Sequence, residues 1–264
     1  MGNMKKEYFK TELSTLYNGD CVEVMKNMYS NNIKVDKVIT SPPYNIIRPN
    51  STDRGYDEYK DGMSNIDYIN FTLEVFKGYD NILNKNGAIL YNMSYGTENP
   101  NCMIETINAI VTQTEFTLAD IITWKKSTAT PNNVSHNKLT RICEFVYVFC
   151  RQSEYMTFKT NKEKVGVRET GQSTYENVYN FIDAKNNDEV TDLNKATFSS
   201  EFVQRLFNLY VGKTDIVFDN FSGTGTTMKV SEENNNKFYG IELSKAQCDF
   251  TIKRIKRGIQ QNLF

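Results

Sequence analysis

Residues 36–45 read DKVITSPPYN, a β-branched and aliphatic run that stops abruptly against two consecutive prolines. Proline fixes φ and has no N–H to donate, so Pro42 and Pro43 cannot continue a central strand. Ser41 to Tyr44 are therefore expected in the loop at a strand's carboxyl end, which is where ligands bind in open α/β sheets. The surrounding pattern agrees with such a sheet. LYNGDCVEVMKNM reads as a strand, a turn at Asn18-Gly19-Asp20, and a helix carrying Val22, Met25 and Met28 on one face. Residues 46–65 are polar and loop-like. A helix is expected over 66–84, with Ile66, Ile69, Leu73, Phe76 and Leu83 among its apolar positions, stopped by Asn86-Gly87. GAILYNMS is the next strand, 102–114 the next helix, and TLADIITWKK and RICEFVYVFCR are strands. SSEFVQRLFNLYV is a helix opened by Ser199 or Ser200. The strand DIVFDNF, the loop SGTGTT, a helix around MKVSEEN, the strand KFYGIEL and a basic helix complete the chain. Alternating strands and helices predict an α/β fold with a Rossmann-like, mostly parallel sheet.

Composition narrows the class further. The 264 residues are 39% hydrophobic and 12% aromatic, enough to bury a sizeable core in one large domain or one domain with an insertion. A mean hydropathy of -0.55 and the absence of a long apolar run argue against a membrane protein. MGNMKKEYFK lacks the apolar stretch of a secretory signal, and Lys6 fits a myristoylation pattern poorly, so a cytoplasmic protein is expected. The five cysteines form no CxxC pair and suit buried thiols. With one histidine, no metal site is expected. Residues 152–194 are polar, with few branched apolar residues, and read as an inserted or peripheral segment. The net charge of -1 gives no hint of a nucleic-acid partner.

A second motif lies in IVFDNFSGTGTTMKV, residues 216–230: a strand, an acidic residue, a glycine-rich turn and a helix. Gly223 and Gly225 allow backbone angles and a close approach that a Cβ would forbid. The turn lacks the Gly-Lys-Ser/Thr ending of a triphosphate-binding loop. Glu242 ends the strand FYGIE, where Rossmann-like sheets place a carboxylate on ribose hydroxyls, so an adenosine-containing cofactor fits the spacing. Taken alone, the glycine turn reads first as a tight strand-to-helix connection, since isolated glycine motifs are common.

Thr-Ser-Pro-Pro-Tyr-Asn at a strand end together with Phe-Ser-Gly-Thr-Gly-Thr-Thr resembles the amino-group DNA methyltransferases, which act on cytosine N4 or adenine N6. The Pro-Pro motif precedes the glycine loop, an arrangement similar to the β class of that family, in which the sheet is circularly permuted. The resemblance covers about Tyr17 to Leu243. It implies a catalytic and cofactor-binding domain made of 1–151 and 195–264, with 152–194 as the target-recognition segment.

The resemblance also implies roles. Ser41 and the Pro42 carbonyl would accept hydrogen bonds from the exocyclic amine, Pro43 would stiffen the loop, and Tyr44 would stack on a base flipped from the duplex. Asp219, Phe221, Gly223 and Gly225 would shape a pocket for S-adenosylmethionine, with Thr226 and Thr227 opening the helix and Glu242 on the ribose. Asp20 aligns with the position that contacts the adenine amine, although an N-cap aspartate would look the same. Residues 194–198 stand where many relatives carry a His-Pro stretch, which is absent here. No metal and no covalent nucleophile are implied. Methylation at cytosine C5 needs a thiolate directly after a proline, and no Pro-Cys dipeptide exists.

Ser at position 41, after Thr40, is more typical of members acting on cytosine N4 than on adenine N6, although both side-chain types can accept from an amine. An RNA or protein-glutamine methyltransferase would usually place the cofactor loop before the Pro-Pro motif, and a catalytically silent DNA-binding relative would not be expected to keep both motifs. Double-stranded DNA is the implied partner. The resemblance also allows a cognate restriction endonuclease and a homodimer, and no residue selects either. DNA contacts are expected from Lys125, Lys126, His136, Lys138 and Arg141, an acid-free stretch of charge +4, with Asn132, Asn133 and Asn137 adding base-edge groups. Residues 245–258 also carry +4, although a solvated helix end accounts for that.

Overall fold

A computed structural model describes residues 7–45, 62–96, 99–127, 136–188 and 197–261. The loop expected at 46–65 lies outside the described residues up to position 61, as do Asn132, Asn133 and Asn194 to Ala196. In chain order the elements are β1 (Glu7–Lys10), β2 (Ser14–Asn18), α1 (Cys21–Ser30), β3 (Val35–Thr40), α2 (Asn65–Ile82), β4 (Leu83–Met93), α3 (Asn101–Gln113), β5 (Phe116–Lys126) and β6 (Cys143–Arg151). A 3-10 turn (Gln152–Thr157) leads to β7 (Lys164–Val167), β8 (Ser173–Tyr175) and β9 (Phe181–Ala184). They are followed by α4 (Ser200–Tyr210), β10 (Val217–Asp219), α5 (Thr226–Glu233), β11 (Phe238–Glu242) and α6 (Lys245–Gln261).

Nine strands form one sheet in the order β1-β2-β11-β10-β3-β4-β6-β5-β9. From β2 to β4 every neighbouring pair is parallel, whereas β6 runs antiparallel to both β4 and β5, and β1 antiparallel to β2. The mostly parallel α/β sheet expected from the sequence is thus present, with an antiparallel β5–β6 pair where strict alternation of strand and helix would have put a crossover.

Period-two alternation sorts the strand side chains onto two faces. Val38, Ile89, Tyr91 and Met93 join α1, α2 and α3 in one core, while Ile39, Ala88 and Leu90 join α4, α5 and Ile255 of α6 in the other. Helices on both faces bury the central strands, so these read as apolar runs. Phe76 is the hub of the first core, edge-on to Tyr79, Tyr91, Phe116 and Phe149 at centroid distances of 5.2, 5.3, 5.7 and 5.4 Å. In the second, Trp124 stacks on Phe202 at 4.0 Å and 16°.

The helix stop expected at Asn86-Gly87 is a correction: α2 ends at Ile82 and Leu83 already has extended angles, φ -74 and ψ 130. Asn86, at φ 58, instead lies inside a bulge of β4, where Leu83 opposes Val35 and the next pair is Lys37 with Ala88. Asn84 fastens that bulge to Asp36 at 2.7 Å. Of the Ser199 and Ser200 alternatives, Ser199 is the N-cap, accepting from the Phe202 N–H at 3.1 Å. Within 152–194, β7 and β8 form a separate two-stranded sheet, while β9 pairs parallel to β5 at the edge of the main sheet.

Replacing Phe76 with alanine removes the ring on which four others pack, and unfolding free energy is expected to fall by about 3–5 kcal/mol. Urea unfolding followed by far-UV circular dichroism checks this; a loss below about 1 kcal/mol would mean that the aromatic cluster does not organise this face.

Candidate active site

β3 and β10 are parallel neighbours at the centre of the sheet, with Val217 opposite Lys37 and Phe218 opposite Val38. From β3 the chain proceeds to β4 on one side, and from β10 to β11 on the other. The strand order therefore reverses between them, and a crevice opens beyond their carboxyl ends. A cleft of about 330 Å³ occupies this position. It is lined by Ser41, Pro42, Pro43 and Tyr44 after β3, by Asp219 to Thr224 with Thr226 and Thr227 after β10, and by Asp20 and Glu242. Every catalytic and cofactor-binding position singled out in the sequence lies on this cleft except Gly225, which anchors the turn beneath it.

The glycine turn is shaped by its own backbone. Gly223 and Gly225 have φ of 53 and 77, and a Cβ on Gly225 would sit 2.4 Å from the Thr251 methyl of α6. Thr226 opens α5, and Arg254 of α6 reaches back to its hydroxyl at 2.9 Å. Glu242 Oε2 accepts the Gly223 N–H at 2.7 Å, and Oε1 accepts the Ser244 N–H at 2.8 Å. Its carboxylate therefore braces the turn from the adjacent strand. Asp20 caps α1, accepting from the Glu23 N–H at 3.0 Å, and also faces the cleft.

Asp219 ties the two loops together. Its Oδ1 accepts the Thr40 hydroxyl at 2.7 Å and the Phe221 N–H at 3.1 Å, and its Oδ2 accepts the Thr227 hydroxyl at 2.7 Å. Burial pushes its carboxyl up to about 6, against the pull of those three donors.

The Pro-Pro loop is fixed separately. The fully buried Tyr68 donates to the Pro43 carbonyl at 2.7 Å. Buried Asn45, in the left-handed region at φ 52, binds the Met63 carbonyl at 2.9 Å and the Gly62 N–H at 3.1 Å. The Tyr44 hydroxyl enters a polar cluster that the sequence reading missed. Ser41 Oγ lies 3.0 Å from it, Glu144 Oε2 of β6 lies 3.0 Å from it, and Asn92 Nδ2 of β4 lies 2.6 Å from it and 2.8 Å from Glu144. Lys126 pairs with the other oxygen of Glu144 and lies 5.3 Å from the Trp124 ring centroid. The only clue in the sequence was an acidic residue starting an otherwise apolar strand.

The five basic positions expected on DNA are engaged differently. Lys126 is turned into the Glu144 cluster, and Lys125 pairs with Asp183 of β9 at 2.5 Å. Arg141 donates to the Tyr95 carbonyl and stacks over the Tyr95 ring at 5.0 Å. His136 and Lys138 are exposed on the turn before β6. In α6, Arg254 pairs with Asp188 at 2.6 Å.

The cleft suits a large polar cofactor. Asn220 and Ser222 line it, and the Asn220 amide nitrogen and Ser222 hydroxyl are buried with no hydrogen-bond partner among the described residues, a costly state unless a ligand supplies one. Thr197 and Phe198 form another wall, so the end of the 194–198 segment does reach the cleft. Cys21 also lines it, but burial beside Asp20 raises its thiol to about 12, which removes it as a nucleophile. Among the described residues no His, Cys, Asp or Glu cluster could hold a metal, and no helix is long and apolar enough to cross a membrane.

The chain is similar to known proteins in sequence and in fold. The model of a DNA methylase family of the N6 and N4 type matches residues 35–254. The Type II methyltransferase M.BglII of Bacillus subtilis is 24% identical over 96% of this chain and 72% of its own length. Among solved structures, the cytosine-N4-specific PvuII DNA methyltransferase superposes with a TM-score of 0.70 at 18% identity, covering 94% of this chain and 89% of that one. The M1.HpyAVI–SAM complex gives 0.62 at 21%, covering 92% and 98%.

Because Asp219 has a raised pKa in the native state, its contribution to stability is fully present below its ordinary pKa of 3.8 and is lost as pH rises through about 6. The change is on the order of 3 kcal/mol. Urea unfolding between pH 4 and 7 is expected to show wild type losing stability relative to Asp219→Asn across this window. Parallel curves would show that the carboxyl titrates normally.

Proposed function

The chain belongs to the N6/N4 DNA methylase family, a group of S-adenosylmethionine-dependent enzymes, and from that membership we propose that it methylates the N4 amine of a cytosine flipped out of double-stranded DNA. The observation that carries this reading is the meeting of the Ser41–Tyr44 loop and the glycine turn in one cleft, although some 180 residues of chain separate them.

An exocyclic amine is a poor nucleophile because its lone pair is delocalised into the ring. Ser41 Oγ and the Pro42 carbonyl would accept its two N–H bonds, favouring a more tetrahedral nitrogen with its lone pair aimed across the cleft. Tyr68 and Asn45 hold the loop that presents those acceptors, so the effect is one of positioning. The Tyr44 ring offers a face on which the flipped base stacks. The opposite wall would hold S-adenosylmethionine, which supplies an electrophilic methyl on a cationic sulfur. Asp219, Phe221, Gly223, Gly225, Thr226 and Thr227 would shape that wall, with Asp20 and Glu242 on the adenine amine and ribose hydroxyls. Asn220 and Ser222 add two unpartnered polar groups.

Cytosine N4 is preferred over adenine N6 because Ser41 occupies the first position of the motif. The PvuII enzyme, whose cytosine-N4 specificity is part of its name, shares the fold. DNA would be held by the exposed turn carrying His136 and Lys138 together with Arg141, and sequence would be read by 152–194, where the β7–β8 hairpin exposes Val165, Val167 and Tyr175. Since M.BglII is named a Type II methyltransferase, a restriction endonuclease of matching specificity is the proposed partner, and the protein would act in the cytoplasm.

Incubation with labelled S-adenosylmethionine and unmethylated genomic DNA, followed by nucleoside mass spectrometry, is expected to give N4-methylcytosine. Label confined to N6-methyladenine would reassign the base, and label absent from DNA would remove the reading. Pro42→Ala and Tyr44→Ala are each expected to lose most turnover while binding S-adenosylmethionine as tightly as wild type in calorimetry. Undiminished turnover in both would exclude the loop from the mechanism.

A further inference from the structure

The polar cluster behind Tyr44 has a direction. Glu144 is a carboxylate paired with Lys126, so it can only accept, and Tyr44 Oη has a single proton to give. Of the described neighbours of that hydroxyl, Asn92 Nδ2 is a donor and Glu144 is the strongest acceptor, so the Tyr44 proton goes to Glu144. Ser41 Oγ, 3.0 Å from Tyr44 Oη, must then donate its own proton to Tyr44. Its lone pairs are left for the cleft. Asn92 donates to both Tyr44 and Glu144, and Lys126 holds the far carboxylate oxygen, so the arrangement is locked from two sides.

We propose that Glu144 of β6 is the terminal proton acceptor of a relay, Ser41 to Tyr44 to Glu144, that first keeps Ser41 an obligate acceptor for the target amine and then takes away the amine's surplus proton. The proposal rests on the amino-methyltransferase reading above. In balance, the amine nitrogen forms a bond to the methyl carbon while the carbon–sulfur bond breaks and leaves its electron pair on sulfur. The nitrogen then carries a positive charge and one proton too many. That proton passes to Ser41 Oγ, the serine proton to Tyr44 Oη, and the tyrosine proton to a Glu144 oxygen, while the N–H electron pair returns to nitrogen. Glu144 is 9% exposed, at the carboxyl edge of the sheet, from which the proton leaves to solvent. Neither Glu144 nor Asn92 touches the cofactor wall, so both act through Tyr44 as positioning residues, and Glu144 also as the proton's destination.

Glu144→Gln tests the direction of the relay. Lys126 claims the amide oxygen, so the amide N–H faces Tyr44. Tyr44 then donates to Ser41, and the serine proton is turned toward the amine. Single-turnover methylation of unmethylated genomic DNA is expected to slow by about 100-fold or more. Calorimetric affinity for S-adenosylmethionine is expected to stay unchanged. Tyr44→Phe keeps the ring and is expected to show the same loss. A second readout needs no turnover: in protein labelled at tyrosine Cζ, the carbon resonance that Tyr44→Phe removes is expected to shift in Glu144→Gln.

Wild-type label in DNA, with Glu144→Gln within about threefold of it, would overturn the relay alone. An unshifted Tyr44 resonance would also overturn it. Failure of wild type to label DNA would overturn the methyltransferase reading and the relay together. If Glu144→Gln does not fold, Tyr44→Phe with a wild-type rate overturns the proposal by itself.

Discussion

One buried carboxylate holds the two halves of this site in register. Asp219 accepts from Thr40 at the end of β3, from Thr227 in the first turn of α5 and from the Phe221 N–H in its own loop. Thr40 directly precedes Ser41, so the clamp fixes the start of the Pro-Pro loop against the glycine turn. Parallel pairing of β3 with β10 brings the loops near each other, but their strand register is only two residue pairs long. The three donors fix the remaining freedom, offsetting much of the cost of burying the acid.

The rest of the cleft divides its labour between rigid backbone and directed polar groups. On the β10 side the turn depends on glycine angles and on Glu242 accepting backbone N–H groups. On the β3 side the loop is stiffened by proline and pinned from outside by Tyr68 and Asn45. On the same turn, the Asn220 amide nitrogen and the Ser222 hydroxyl are buried without a partner among the described residues. Such a site is organised before any ligand arrives.

Much of this arrangement was legible in the sequence because it is written locally. Pro42-Pro43 ends a strand wherever it stands, and Gly223 and Gly225 mark a tight turn by what they lack. The Asp20 cap and the order of the elements follow from neighbours a few positions apart. Pairings made across the sheet were not legible. Glu144 gave no sign that it would meet Tyr44, because 100 residues separate them and only the β4–β6 register brings Glu144 beside Asn92. For the same reason, an apparently acid-free stretch contains two lysines neutralised by carboxylates from β6 and β9. The helix end at Ile82 was missed because Asn86-Gly87 looks like a stop signal, when it is a bulge opposite Asp36.

The position of β11 bears on how the protein acquires its activity. This strand lies between β2 and β10, pairing with residues more than 200 positions earlier, and it supplies Glu242 and the brace for Gly223. Until it is inserted, β2 has only β1 beside it and the wall opposite the Pro-Pro loop is incomplete. Contacts of such long sequence separation form late because the loop entropy must be lost before they give anything in return. A chain emerging from the ribosome amino terminus first therefore carries the Pro-Pro loop long before it has a finished cleft. A chain that ends before β11 therefore has the Pro-Pro loop but not Glu242, the carboxylate that holds the Gly223 turn in shape.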